Sequence, residues 1–269
     1  MKEANAFLIK NNPSILVVGA DHANTGLTRG LIDLITSALN QFNLNCLFLE
    51  LPSDIQNPLD QAIENNSLKI FSQAFLESKI NSTAAAYIRL GAPTNIRENI
   101  REAFAAHYND PLLNNSVSAE LITFLKMHHF QALAFDTPSD SKEFQEATYY
   151  SVQDQKYGRT LERDILSMKI SNQRSQIMSQ KIQEKFKSSS CDRALVVVGY
   201  AHLFSDTYFK KMYSAEIGLR PLQILLNDAG LKSVVLLSEK AEGLTETSLD
   251  TTADPENRFP LYLGKLLNP

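Results

Sequence analysis

Two histidines in this chain each close an apolar run through the same short phrase. SILVVGA (residues 14–20) continues into Asp21 and His22, and ALVVVGYA (residues 194–201) continues into His202. Both runs therefore end in Gly-x-x-His, Gly19 to His22 and Gly199 to His202. Two carboxylates stand in comparable places: Glu50 inside LFLELP and Asp136 in FDTP. An acid within an apolar run must be paired, hydrogen-bonded or placed at an edge. Such a set supports two chemistries. Two imidazoles and a carboxylate (His22, Glu50, His202) could hold a divalent metal such as Mn, Co or Zn, with a position left for water. Alternatively a histidine could serve directly as general base towards water, oriented by a carboxylate. The residues leave both open, beside the plainer reading of caps and structural bonds.

Arg163, in LERD, is the cation singled out. In the first turn of a helix it gains nothing from the macrodipole, and it lies off the apolar stripe of Leu161, Ile165 and Met168. It is expected either to aim into a cleft and stabilise developing negative charge or to pair with Glu162 or Asp164 at the surface. Asp136 and Tyr200 are expected to support the substrate pocket. His107, His128 and His129 read as helix-end residues.

The elements that must position these groups follow from hydrophobic spacing. Continuous Val/Ile/Leu runs mark strands buried on both faces, as in parallel sheets. They fall at residues 14–20, 46–51, 131–135, 194–201 and 233–237. Residues just past such strands lie at their carboxyl ends, where open α/β sheets place ligands. The two Gly-x-x-His phrases are thus expected on one edge of one sheet. A helix is expected over residues 31–42, and residues 54–130 read as a helical insertion after the second strand. Residues 139–159 read as a polar segment, 160–187 as a long helix, 221–228 as a short one, and 242–257 as an acidic surface loop. Residues 259–267 are expected to dock back. The fold expected is α/β, a mostly parallel central sheet flanked by helices, as one domain over residues 1–269.

The bulk properties exclude several classes. The 269 residues are 43% hydrophobic and 21% charged with net charge −4, so no basic stripe points to nucleic acid. No apolar run is long enough to cross a bilayer, and MKEANAFLIKNN does not read as a secretory signal. Cys46 and Cys191 have no neighbouring thiol in sequence, so neither a disulfide scaffold nor a zinc-knuckle arrangement is supported, and a reducing compartment is expected. The expectation is a cytoplasmic protein acting on a small molecule or peptide.

The ordered set resembles a known superfamily. The first Gly-x-x-His, the glutamate of LFLELP, the Arg-Asp of LERDILSMKI and the second Gly-x-x-His in VVVGYAHL occur in the order of the superfamily joining erythromycin esterases, TIKI/TraB-type metallopeptidases and ChaN-type haem-binding lipoproteins. FDTP is similar to the third-strand motif of the esterase branch, and GLRPLQILLNDAG to a distal segment of the ChaN-like branch. The resemblance implies an α/β core with a helical insertion and His22, Glu50, Arg163 and His202 as functional residues. It implies a metal-dependent peptidase in one branch, metal-free water activation in another and haem binding in the third. The chain departs from the pattern in lacking a lipid-anchor cysteine and a transmembrane segment, and in placing bulky Tyr200 before the second histidine. The resulting expectation is a hydrolase of esters or amides, with haem or iron binding as the alternative.

Overall fold

A computed structural model describes residues 12–20, 43–107, 117–204, 206, 210, 214, 217–237 and 258–260. Its centre is a six-stranded sheet with every pairing parallel. The strands are β1 (Ile15–Ala20), β2 (Cys46–Pro52), β3 (Gln131–Asp136), β4 (Ala194–Gly199), β5 (Ser233–Leu237) and β6 (Arg258–Pro260). Their spatial order is β3-β2-β4-β1-β5-β6. The apolar runs read in the sequence are these strands, and the burial explains them: all six residues of β4 are buried. Successive side chains point to opposite faces, so both faces must be covered.

The helices divide between the two faces. From the segment after β2 come α1 (Gln56–Asn65), α2 (Leu68–Arg89), α3 (Ile96–His107) and α4 (Ala119–Met127). Leu59 of α1 and Leu121 and Leu125 of α4 pack with Leu16, Val18, Leu47, Leu49, Leu195 and Val197 on one face. After β3 come α5 (Lys142–Tyr157) and α6 (Leu161–Lys187), and α7 (Leu222–Asp228) precedes β5. Met178 and Ile182 of α6, with Leu222 and Leu226 of α7, pack with Ile15, Val17, Phe48, Val196 and Val198 on the other. Each such buried aliphatic side chain contributes about 2 kcal/mol. The exchange of faces has a topological reason. The chain travels outward from β2 to β3, then reverses to insert β4 between β2 and β1. With right-handed crossovers, reversing direction moves the connecting helix to the opposite face.

The helical insertion is observed, as four helices, with α2 and α3 sharing a small core of Ile80, Ala84 and Ile100. Gln56, opening α1, covers the backbone of edge strand β3: its Oε1 accepts from Ala134 N at 2.6 Å and its Nε2 donates to Ala132 O at 3.0 Å. That side chain satisfies groups an edge would otherwise expose. His128 caps α4, with His129 following it in left-handed backbone, in keeping with the helix-end reading.

Residues 142–157, within the segment read only as polar, form helix α5. Ser141 accepts from Phe144 N at 3.2 Å as its N-cap, and only Phe144 and Val152 are buried, too thin a stripe to show as periodicity. Cys46 and Cys191 are joined in a disulfide across a sequence separation of 145. Parallel pairing of β2 with β4 sets Cys46 opposite Ala194 and so brings together thiols distant in sequence. The expected helix over 31–42 and loop over 242–257 lie outside the described residues. Of the terminal segment, Arg258–Pro260 pairs with β5.

Gly19 shows why the first phrase carries a glycine. A Cβ there would stand 2.7 Å from Tyr200 Cε1 and 2.9 Å from Leu203 Cδ1. The ring of Tyr200, the bulky departure noted in the sequence, thus rests over the space Gly19 leaves. Gly19→Ala is expected to lower unfolding stability by about 1–3 kcal/mol. In urea titrations Tyr200→Ala should restore part of that loss; strict additivity in the double variant would refute the contact.

Candidate active site

The strand order puts the carboxyl ends of β2, β3, β4 and β1 on one edge, with the reversal of chain direction among them, where open α/β sheets form their crevice. β1 and β4 are neighbours in register, Gly19 opposite Val198 and Ala20 opposite Gly199. The strands bearing the two Gly-x-x-His phrases therefore run side by side to the same edge. His22 itself lies outside the described residues.

His202 ends the single 3-10 turn Tyr200–His202 that follows β4. The turn directs the imidazole inward, and the residue is 2% exposed. Its Nε2 lies 3.1 Å from Glu50 Oε1 and its Nδ1 2.8 Å from Ser175 Oγ on α6. Ser175 also lies 2.9 Å from Ser171 O. One hydroxyl hydrogen serves either Nδ1 or that carbonyl. If it serves Nδ1, the ring is neutral and Nε2 carries the proton. If it serves Ser171 O, Nδ1 donates to Ser175 Oγ, and the proton of the Nε2–Glu50 contact can reside on either partner.

Glu50 sits at a register irregularity near the end of β2, between Leu49 and Pro52. Besides His202, its Oε1 accepts from Arg174 Nη2 at 3.1 Å, and its Oε2 accepts from Gly199 N. Asp136, the last residue of β3, is 1% exposed. It accepts from Arg174 Nε at 3.0 Å, from Arg174 Nη2 and from Thr137 N at 2.7 Å. Asp136, expected to support the substrate pocket, thus grips Arg174. Lys181 Nζ donates to the Asp136 carbonyl. Burial lowers the pKa of Lys181, with Asp136 and Asp54 acting against it.

Arg174 is the residue the sequence reading missed. It is the α6 cation that meets both carboxylates, with its side chain 12% exposed. Burial works to lower its pKa; the charge and hydrogen bonds of Asp136, then of Glu50, outweigh that and raise it. It stays charged at any working pH. Phe144 of α5 lies 5.8 Å from the guanidinium carbon. Arg163 does not join this group. Its Nε donates to Asp154 Oδ1 at 2.7 Å, and Nη2 to Gly158 O, at the turn between α5 and α6. The signal available for Arg174 was spacing: eleven residues after Arg163 on one helix returns to nearly the same face, about 16 Å further along.

Tyr200 packs on Gly19 and Leu203. Tyr149 is engaged by Arg89, 3.9 Å over its ring, and by Gln153 Nε2 at 3.1 Å. Among the described residues no three His, Cys, Asp or Glu side chains gather as a metal-ligand set. Glu50 and His202 direct their polar atoms to each other and to Arg174, Gly199 and Ser175. A metal taking both would have to replace those bonds.

The arrangement of Glu50, His202 and Arg174 suits acid–base chemistry beside a fixed positive charge. No protein-family model matches the sequence, and no curated protein matches it. Among solved structures the chain is similar to one described as "The structure of the type III effector HopBA1", with a TM-score of 0.50 and 11% identity, covering 87% of this chain and 81% of that chain. At that identity the likeness concerns the fold.

Proposed function

We infer that the chain is a hydrolase that activates water to cleave an ester or amide, with Glu50 and His202 as its acid–base pair. The observation carrying this reading is the 3.1 Å contact of His202 Nε2 with a Glu50 oxygen that also accepts from Arg174, at the carboxyl ends of neighbouring parallel strands. Ser175 and the Gly199 amide hold the pair in place through hydrogen bonds to His202 and Glu50. A water hydrogen-bonded to the pair gives up a proton to it, and the resulting hydroxide attacks the carbonyl carbon. Arg174 opposes the negative charge that builds on the carbonyl oxygen. The pair then returns the proton to the departing alkoxide or amine. The order of motifs resembles that of the esterase branch named above, which runs the same metal-free chemistry.

Substrates of this reading are small molecules or peptides. Among the described residues no helix is long and apolar enough to cross a membrane. The disulfide favours an oxidising compartment over the cytoplasmic setting expected from the sequence.

The test is a panel of ester and peptide substrates, run with and without Mn, Co or Zn. Glu50→Gln and His202→Asn are expected to lower kcat/KM by roughly 100- to 10,000-fold while keeping the circular dichroism of the parent. His22→Asn is assayed beside them. Undiminished turnover in both Glu50→Gln and His202→Asn would reject the reading.

A further inference from the structure

Ser175 of α6 stands at the inner end of a line of contacts that begins at the sheet edge. The side chains of Glu50 and Arg174 keep 10% and 12% exposure. Behind Glu50 the ring of His202 is 2% exposed, and Ser175 behind that is 1% exposed. Glu50 Oε1 meets Nε2 at 3.1 Å, and Ser175 Oγ meets Nδ1 at 2.8 Å. Carboxylate, histidine and serine in a row are also the parts of a nucleophilic triad. Burial argues against that use, because the hydroxyl is the least accessible of the three and an attacking oxygen must reach a carbonyl carbon. The line is therefore ordered from Glu50 inward, each residue orienting the one in front of it.

The serine decides where the ring keeps its proton. Arg174 and the Gly199 amide donate to Glu50 alongside His202, a set of donors suited to an ionised, acceptor-only carboxylate. A bare Nε2 would turn its lone pair on that oxygen, so a neutral ring carries its hydrogen on Nε2 and leaves Nδ1 as an acceptor. Among the described residues Ser175 Oγ is the partner of Nδ1. The competing acceptor, Ser171 O, does not depend on the hydroxyl: four residues back in the same helix, it accepts from the Ser175 amide. Without the hydroxyl hydrogen a buried Nδ1 has no donor, whereas that carbonyl keeps its helical bond. The hydrogen is therefore directed to Nδ1 whenever the ring is neutral. The ring then offers no lone pair to water, and Glu50, the more exposed of the two, is the group left to take a proton.

We propose that Ser175 is a positioning residue: by donating to Nδ1 it keeps the proton of His202 on Nε2, turned towards Glu50, and so makes Glu50 the member of the pair that accepts the proton of water. The part given to Glu50 rests on the hydrolase reading; the part given to Ser175 rests on the contacts of the ring.

Long-range proton–nitrogen NMR of the full chain, isotope-labelled at histidine, tests the tautomer at pH 8. The His202 signals are identified by their absence from His202→Asn. The parent should show Nε2 protonated and Nδ1 as a hydrogen-bonded acceptor; a proton resident on Nδ1 overturns the inference. In Ser175→Ala the Nδ1 signal should move to that of an acceptor without a donor, and kcat should fall by about 10- to 100-fold with KM little changed. Ser175→Thr, which keeps a hydroxyl, should return both readouts towards the parent. A folded Ser175→Ala whose ring signals match the parent's removes the role. Should the variants fail to fold, the parent spectrum still decides. Modification of Ser175 by a fluorophosphonate would make it the nucleophile and overturn the positioning role as well. The expected tautomer, in a protein whose Glu50→Gln variant loses no activity, would sink the hydrolase reading and leave Ser175 as the residue that sets the ring. A proton on Nδ1, in a protein whose turnover depends on Glu50, would do the reverse.

Discussion

Arg174→Met should lose about 3–5 kcal/mol of unfolding stability, the range seen when one partner of a buried ionic group is removed. Methionine fills similar space, so the loss comes from charge. Asp136 at 1% exposure would keep a carboxylate with Thr137 as its remaining side-chain-directed donor, and Glu50 would lose one of its donors. The pH dependence has a definite sign. The raised pKa of Arg174 means that its stabilising contribution is complete below its ordinary value and disappears only above it, far beyond neutrality. The parent therefore gains or loses nothing through Arg174 across the physiological range. The deficit of the variant should thus be the same at pH 6 and at pH 8, measured by urea unfolding at both, because the charge that is removed does not change between them. Arg163→Ala is the contrast. Its pair with Asp154 lies at a helix-helix turn and is partly exposed, and its removal should cost about 1 kcal/mol or less.

The second large effect is expected from the disulfide. Cys46 and Cys191 close a loop with a sequence separation of 145, so chain entropy alone assigns the crosslink about 5 kcal/mol. The double variant Cys46→Ala/Cys191→Ala should lose a large part of that, and the parent should show the same loss after reduction. Both residues are buried at the start of β2 and just before β4, the end of the sheet away from Glu50 and His202. Catalysis by the folded fraction should therefore change little. Thiol titration of the denatured, unreduced chain checks the premise directly: no reactive thiol is expected, and two would remove the basis for the prediction.

Different parts of the molecule were legible to different degrees. The strands were legible because their requirement is local: both faces of a parallel sheet are covered, so SILVV, CLFLEL and ALVVV must be apolar at every position. The long helix α6 was legible from its periodic stripe. Helix α5 was not, since its Ser141 cap and two buried residues leave most of its surface polar. Glu50 and His202 could be chosen from sequence because each interrupts or ends an apolar run. Arg174 was harder to choose, because its spacing from Arg163 is a weak signal and an arginine in the middle of a polar helix looks like any solvated one. The disulfide was hidden for a related reason, as 145 residues separate its ends.

By itself the amino-acid sequence determined the elements, their burial and the edge on which chemistry could gather, because these depend on each residue's own hydrophobicity and on its near neighbours. The tertiary structure alone decided the partners. Inserting β4 between β2 and β1 placed Glu50 against Gly199 and His202, and laying α6 across that face supplied Arg174 and Ser175. Strand order and helix placement are properties of the whole chain's packing, and so is the choice of which arginine becomes the buried cation.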